Sequence, residues 1–147
     1  MLVESLKTIL ASQYAFVIKA QFFHWNVEGP DFAQLHDFFG KIYEEVYGNG
    51  IDRCAEFIRV LDDYTPGSFE RFAELSVISG QIKVPRARLM LEELLQDSNK
   101  LLAVLNTAFQ EADTEQQQGV ADFLAERIDA QGKHSWMLRS FLKEARA

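Results

Sequence analysis

The chain is poor in residues that interrupt or cross-link a fold. It has one cysteine, Cys54, which excludes an internal disulfide framework and a four-thiolate zinc site. Three prolines and eight glycines in 147 residues exclude a loop-rich or collagen-like chain. Cations are the scarcer charge: 15 Lys and Arg stand against 22 Asp and Glu, a formal charge of −7. Such a surface is not suited to broad electrostatic binding of nucleic acid. No apolar run approaches the roughly 20 residues that span a bilayer. The opening MLVESLKTIL lacks the basic segment, long apolar stretch and cleavage site of a secretory signal. Also missing is Glu-x-x-His, the usual mark of a di-iron site inside one helical bundle. The residues three before each histidine are Gln21, Ala33 and Gln131.

What is present is a helical hydrophobic pattern over almost the whole length. The chain is 48% hydrophobic and 25% charged, enough for one packed domain over 1–147. Leu2, Leu6, Leu10, Val17 and Ala20 recur at helical spacing, yet Tyr14, Phe16, Ile18, Phe22 and Phe23 cover other sides of the same helix. A helix apolar on several sides expects several packing surfaces, hence oligomerisation. Glu28-Gly29-Pro30 ends it, with Asp31 as the next cap. A second helix carries Phe32, Leu35, Phe39, Ile42, Tyr43 and Val46. It meets Tyr47-Gly48-Asn49-Gly50 and resumes with Ile51, Ala55, Ile58 and Leu61. Asn-Gly can mark a hairpin, but these helical flanks exclude one. Thr65-Pro66-Gly67-Ser68 leads to a short capped helix, Phe69 to Leu75, and Pro85 suits the first turn of the third long helix. Asp113-Thr114 is a joint before the last helix, which carries Val120, Leu124, Ile128, Leu138 and Leu142. The expected fold is all-α. It is a four-helix bundle with a short extra helix in the long connection between the second and third long helices, the layout of ferritin-like proteins.

Few residues are candidates for chemistry. His24 continues the stripe Leu10, Val17, Ala20, and His36 lies on the face of Phe32, Phe39 and Tyr43. Either alone reads as a core histidine satisfied by one hydrogen bond; together, as neutral imidazoles, they suit a transition metal. Asp52 and Glu56, four apart, share a helix face and repel each other unless a cation lies between them. The competing reading is a solvated face screened by Arg53 and Arg59. With no Glu-x-x-His, two histidines from one region and two carboxylates from another fit a site shared between subunits. Cys54 reads as a small apolar core residue. Trp25 and Trp136 read by default as core packing.

The run His24-Trp25-Asn26-Val27-Glu28-Gly29-Pro30-Asp31-Phe32, followed by Leu35-His36, resembles the Dps family of mini-ferritins. So do Phe39, Tyr43, Asp52, Ala55 and Glu56, then Pro66-Gly67-Ser68-Phe69 with Phe72-Ala73-Glu74-Leu75-Ser76, then Asp122, Leu124, Arg127 and Trp136-Met137-Leu138-Arg139. The resemblance spans nearly the whole chain. It implies a hollow shell of twelve identical bundles, a cytoplasmic homo-oligomer. Ferrous iron would be oxidised there, preferably by hydrogen peroxide, at centres on two-fold interfaces. Ferric oxide would be stored inside and DNA protected from oxidative damage. His24 and His36 would bind iron from one subunit, Asp52 and Glu56 from its partner. Trp25 would sit beside the centre, where it can intercept radicals. The short helix would lie at the dimer interface, and Asp122 would line a three-fold entry pore.

Two departures from the family pattern bear on activity. Where the family has a carboxylate one turn after the second histidine, this chain has Gly40. Glu44 lies one further turn along the same face, about 6 Å further on. His36 to Asp52 is sixteen positions instead of the family's fifteen. One insertion rotates everything downstream by about 100° and would carry Asp52 and Glu56 off the site. A π-bulge at Gly48–Gly50 would absorb it and restore their phase. The alternative function is a ferritin-like assembly protein with a degraded iron site, for example inside a larger particle. Direct DNA binding is disfavoured. Lys7 is the only cation in the first eighteen residues, and Arg139, Lys143 and Arg146 fall in a stretch that reads as helical rather than as a free arm.

Overall fold

The computed structural model describes residues 1–144. Its elements are α1 (Leu2–Asn26), α2 (Phe32–Val46), a single π turn (Tyr47–Ile51), α3 (Asp52–Val60), α4 (Phe69–Leu75), α5 (Ala87–Thr114) and α6 (Gln118–Leu142). α2, the π turn and α3 form one long helix, so the architecture is the expected four-helix bundle with the short α4 in the middle connection. α1 packs against α2, α4 and α5, and α5 pairs with α6. Leu6, Ile9, Phe16, Phe23, Phe39, Ile58, Leu94, Leu101, Phe123 and Leu124 are fully buried. Burying one such side chain is worth about 1.5–3 kcal/mol.

Several local signals resolve differently from the sequence expectation. Asp31 holds the cap position of α2, but its side chain makes no capping bond. Pro85 lies before Arg86, the residue that caps α5, so it is outside the helix. α5 runs through Asp113 and Thr114, and the joint is Glu115–Gln117, closed by Gln116 at φ 59°. Ser68 does cap α4, accepting from the Arg71 backbone N–H at 3.1 Å. α6 ends at Leu142, so Arg139 is helical and Lys143 is not; Arg146 lies outside the described residues.

Trp25 and Trp136 are not core residues: they are 64% and 55% exposed. α4 buries no residue, and its Phe69 stands 82% exposed. α4 is held to α1 by Phe72 stacked on Tyr14, with ring centroids 5.0 Å apart. Between α1 and the α4 connection runs a groove of about 790 Å³, lined by Ile18, Phe22, Trp25, Phe69 and Phe72 among others.

The interior is not uniformly apolar. Lys19 is buried in an ion pair with Asp97 at 2.7 Å, joining α1 to α5. Ser98, Gln131 and Ser135 hydrogen-bond one another between α5 and α6. No described helix is long and apolar enough to cross a membrane.

Candidate metal centre

The last turn of α1 and the second turn of α2 carry the two histidines. Their rings stack with centroids 3.8 Å apart and planes 16° apart. Each ring reaches the other's backbone. His24 Nδ1 lies 2.5 Å from the His36 carbonyl oxygen, and His36 Nδ1 lies 2.7 Å from the His24 carbonyl oxygen. A carbonyl can only accept, so both Nδ1 atoms carry the proton. That fixes the tautomer and leaves both Nε2 lone pairs available as ligands. The local cause is the end of α1. The His24 carbonyl is among the last four of the helix, which lack intrahelical partners, and the His36 ring satisfies it. Phe32 stacks on His36 at 5.1 Å and Tyr43 meets His24 edge-on at 5.5 Å, so the pair is held within an aromatic cluster.

Gly40 belongs to this arrangement. A Cβ there would lie 3.1 Å from His24 Cε1 and 3.2 Å from its Nδ1. The imidazole occupies the room from which a side chain at position 40 would start. The absent carboxylate and the close seating of His24 are therefore one feature.

Asp52 and Glu56 are both exposed on α3, four residues apart on the side opposite Cys54 and Ile58, which are fully buried. Among the described residues neither carboxylate has a cationic partner. The arginines that would screen them are engaged elsewhere. Arg53 pairs with Glu126 at 2.7 Å and lies over the Phe123 ring, while Arg59 donates to the Asp63 carbonyl and lies over Tyr64.

The phase of these carboxylates depends on the π turn, which falls where the extra residue was expected to bulge. Buried positions run Leu35, Phe39, Ile42, Val46, then Ile51, Cys54 and Ile58. Phe38 is buried as well, and the step from Val46 to Ile51 is five, wider than any other step between buried side chains along this helix. One wide turn absorbs one residue and keeps the apolar face of α3 on the core.

Within one subunit the parts do not meet. The described residues contain no group of three or more His, Cys, Asp or Glu placed to hold a metal. The histidine pair and the carboxylate pair stay apart within the subunit. Trp25 follows His24 at the exposed end of α1, and Asp122 is exposed on α6. Cys54 is buried, its thiol facing the Leu6 carbonyl at 3.3 Å; burial pushes its pKa up to about 12, so it is inert.

Sequence reasoning missed a polar cluster beside the π turn. Arg127 of α6 makes a forked pair with Glu45, Nη1 donating at 2.6 Å and Nη2 at 3.0 Å. His134 Nε2 lies 2.6 Å from the same carboxylate. Burial pulls the Glu45 carboxyl upward, but the hydrogen bonds from His134 and Arg127 outweigh it and hold it far below the usual range. The available signal was that Arg127, Gln131 and His134 continue the core stripe of Leu124 and Leu138.

Residues 3–147 match the ferritin-like domain family. A low temperature-induced protein of Nostoc sp. is 37% identical over 136 residues, 91% of this chain and 75% of that protein. A DNA protection during starvation protein of Brevibacillus brevis is 30% identical over 91% of this chain and 89% of its own. The crystal structure of the Dps protein of Vibrio cholerae O1 is described as a member of a broad superfamily of ferritin-like diiron-carboxylate proteins. It superimposes with a TM-score of 0.91 at 27% identity, covering 97% of this chain and 89% of that one.

Proposed function

The chain belongs to the ferritin-like family and, within it, to the Dps proteins, and from that premise we propose that it is a mini-ferritin that oxidises and stores iron. Ferrous iron is the substrate. It binds between the histidines of one subunit and Asp52 and Glu56 of its partner, in a homo-oligomeric shell, a dodecamer by family pattern. Two ferrous ions each lose one electron and hydrogen peroxide accepts both as its O–O bond breaks. Hydroxide forms, ferric iron hydrolyses with release of protons, and ferric oxide collects in the cavity. Consuming peroxide and ferrous iron together removes the reactants that make hydroxyl radicals near DNA. Trp25, beside His24, is placed to quench one-electron oxidants that escape. Asp122 serves the cation entry pore.

The observation that carries this reading is the histidine pair. Both Nδ1–H groups are committed to backbone carbonyls, so both Nε2 atoms are preset as metal donors. Carboxylates supply the charge that favours the harder ferric ion. The unpaired Asp52 and Glu56, the uncovered α4 and the apolar groove beside Trp25 support a centre completed by a second subunit.

Gly40 favours a second reading. Without a ligand side chain there, one metal position is weakened, and the centre is mononuclear or the protein is an assembly unit that has lost catalysis. Peroxide-driven Fe(II) oxidation by the metal-free protein, followed by absorbance, separates the two. Fast oxidation that is lost in His36→Ala supports the ferroxidase. Oxidation no faster than buffer in an assembled shell supports the assembly protein.

A further inference from the structure

The π turn is a costly way to join α2 to α3, since glycine inside a helix is destabilising against alanine and this turn carries two. Something must hold it against reversion to a regular helix, and polar contacts gather on it from two other helices. Gln13 of α1, fully buried, donates its Nε2 hydrogen to the Gly50 carbonyl at 2.8 Å. Arg127 of α6, 2% exposed, grips Glu45 two residues before the wide turn. Its Nε lies 3.2 Å from where a Gly50 Cβ would stand, and the Gln13 amide oxygen lies closer still. Gly50 has no side chain because α1 and α6 press their polar groups against its backbone. Asn49, inside the turn, donates to Glu45 at 3.2 Å, and His134 holds the same carboxylate from α6.

We propose that Gln13, Glu45, Arg127 and His134 form a clasp that holds the wide turn at Tyr47–Ile51 and so sets the rotational phase of Asp52 and Glu56. They are positioning residues and touch no iron. Their consequence for catalysis rests on the iron-oxidation reading above, whereas their effect on α3 does not. The interior of the bundle thereby controls an exposed half-site through backbone geometry alone.

The single cysteine reports the phase. Cys54 faces the core only while the extra residue is absorbed; a regular helix would turn it by about 100° toward the surface. The experiment measures native-state labelling of Cys54 by Ellman's reagent in the assembled full-length protein. It compares wild type, Gln13→Leu, Arg127→Met and Leu94→Ala, the last a core deletion on α5 outside the clasp. Removing one partner of a buried hydrogen bond and leaving the other unsatisfied shifts a local opening equilibrium by about tenfold or more, so both clasp variants should label that much faster than Leu94→Ala. Labelling no faster than in Leu94→Ala overturns the proposal. Deleting Asn49 in the Arg127→Met chain removes the residue that the turn absorbs. It should protect Cys54 again, and continued fast labelling there also overturns the proposal. Co(II) absorbance on the same samples separates the two claims. Fast labelling in the clasp variants together with loss of the wild-type Co(II) spectrum supports both. Fast labelling with no Co(II) bound by wild type supports the clasp and counts against the iron centre.

Discussion

The histidine pair, which bridges α1 and α2, and the carboxylate pair on α3 are organised in opposite ways. The histidine end is fixed by local bonds: two rings 3.8 Å apart, each tied to the other's backbone carbonyl. The carboxylate end has no such bonds. Asp52 and Glu56 stand free on α3, and their direction is set by a wide turn and the buried polar groups around it. The first arrangement should tolerate change at a distance but not at its own residues, and the second should respond to residues remote from Asp52 and Glu56.

The largest expected effect is therefore at the rings. His36→Ala removes a ligand and also the donor that caps the His24 carbonyl. Peroxide-driven Fe(II) oxidation should fall by about 100-fold or more, beyond the 10–100-fold typical of residues that merely support ligands. Stopped-flow absorbance checks this, and an unchanged rate would remove the histidines from the centre.

Next is Gly50→Ala on the carboxylate side. The new Cβ meets the Gln13 amide oxygen inside the core. Overpacking of this kind costs about 1–3 kcal/mol, against a helix-propensity gain of about 1 kcal/mol. A net loss in the urea midpoint is expected, together with faster Cys54 labelling. Gly40→Ala carries the comparison to the histidine side. Propensity and crowding should there nearly cancel in stability, while the displaced His24 ring weakens Co(II) binding at equilibrium.

Glu45 gives a pH signature. Its folded-state pKa lies far below the unfolded value, so the carboxylate form is bound more tightly in the native protein. The stabilisation is present in full above about pH 4.5 and is lost progressively as pH falls toward the folded pKa. The stability difference between wild type and Glu45→Gln should shrink as pH falls below about 4.5, as read from urea midpoints. The smallest effect belongs to Arg53→Ala. Its exposed pair with Glu126 is worth about 0–1 kcal/mol. Little change in either stability or Cys54 labelling would show that surface pairing does not set the phase of α3.

The long helices, α4 and its Ser68 cap were legible because apolar spacing and turn residues are local signals. The wide turn was legible too, since His36 to Asp52 is one position longer than the family pattern and the extra residue falls at Gly48-Asn49-Gly50. What sequence could not show is which polar residues sit on the core stripe and whom they face. Glu45, Arg127 and His134 lie 82 and 89 positions apart along the chain, so only tertiary packing pairs them. The exposed tryptophans have a related cause: composition and spacing do not tell an apolar residue on the surface from one in the core. Gly40 was visible as a missing ligand, but its reason, the His24 ring seated against it, required the fold.

The most direct test of the shared centre is complementation between subunits. His36→Ala and Asp52→Asn chains, each inactive alone, are co-expressed so that they mix at the two-fold interface. If histidines and carboxylates come from different subunits, each mixed dimer keeps one intact centre of two, and random mixing should restore about a quarter of wild-type peroxide-driven Fe(II) oxidation. Mixed shells as inactive as either parent would contradict the account.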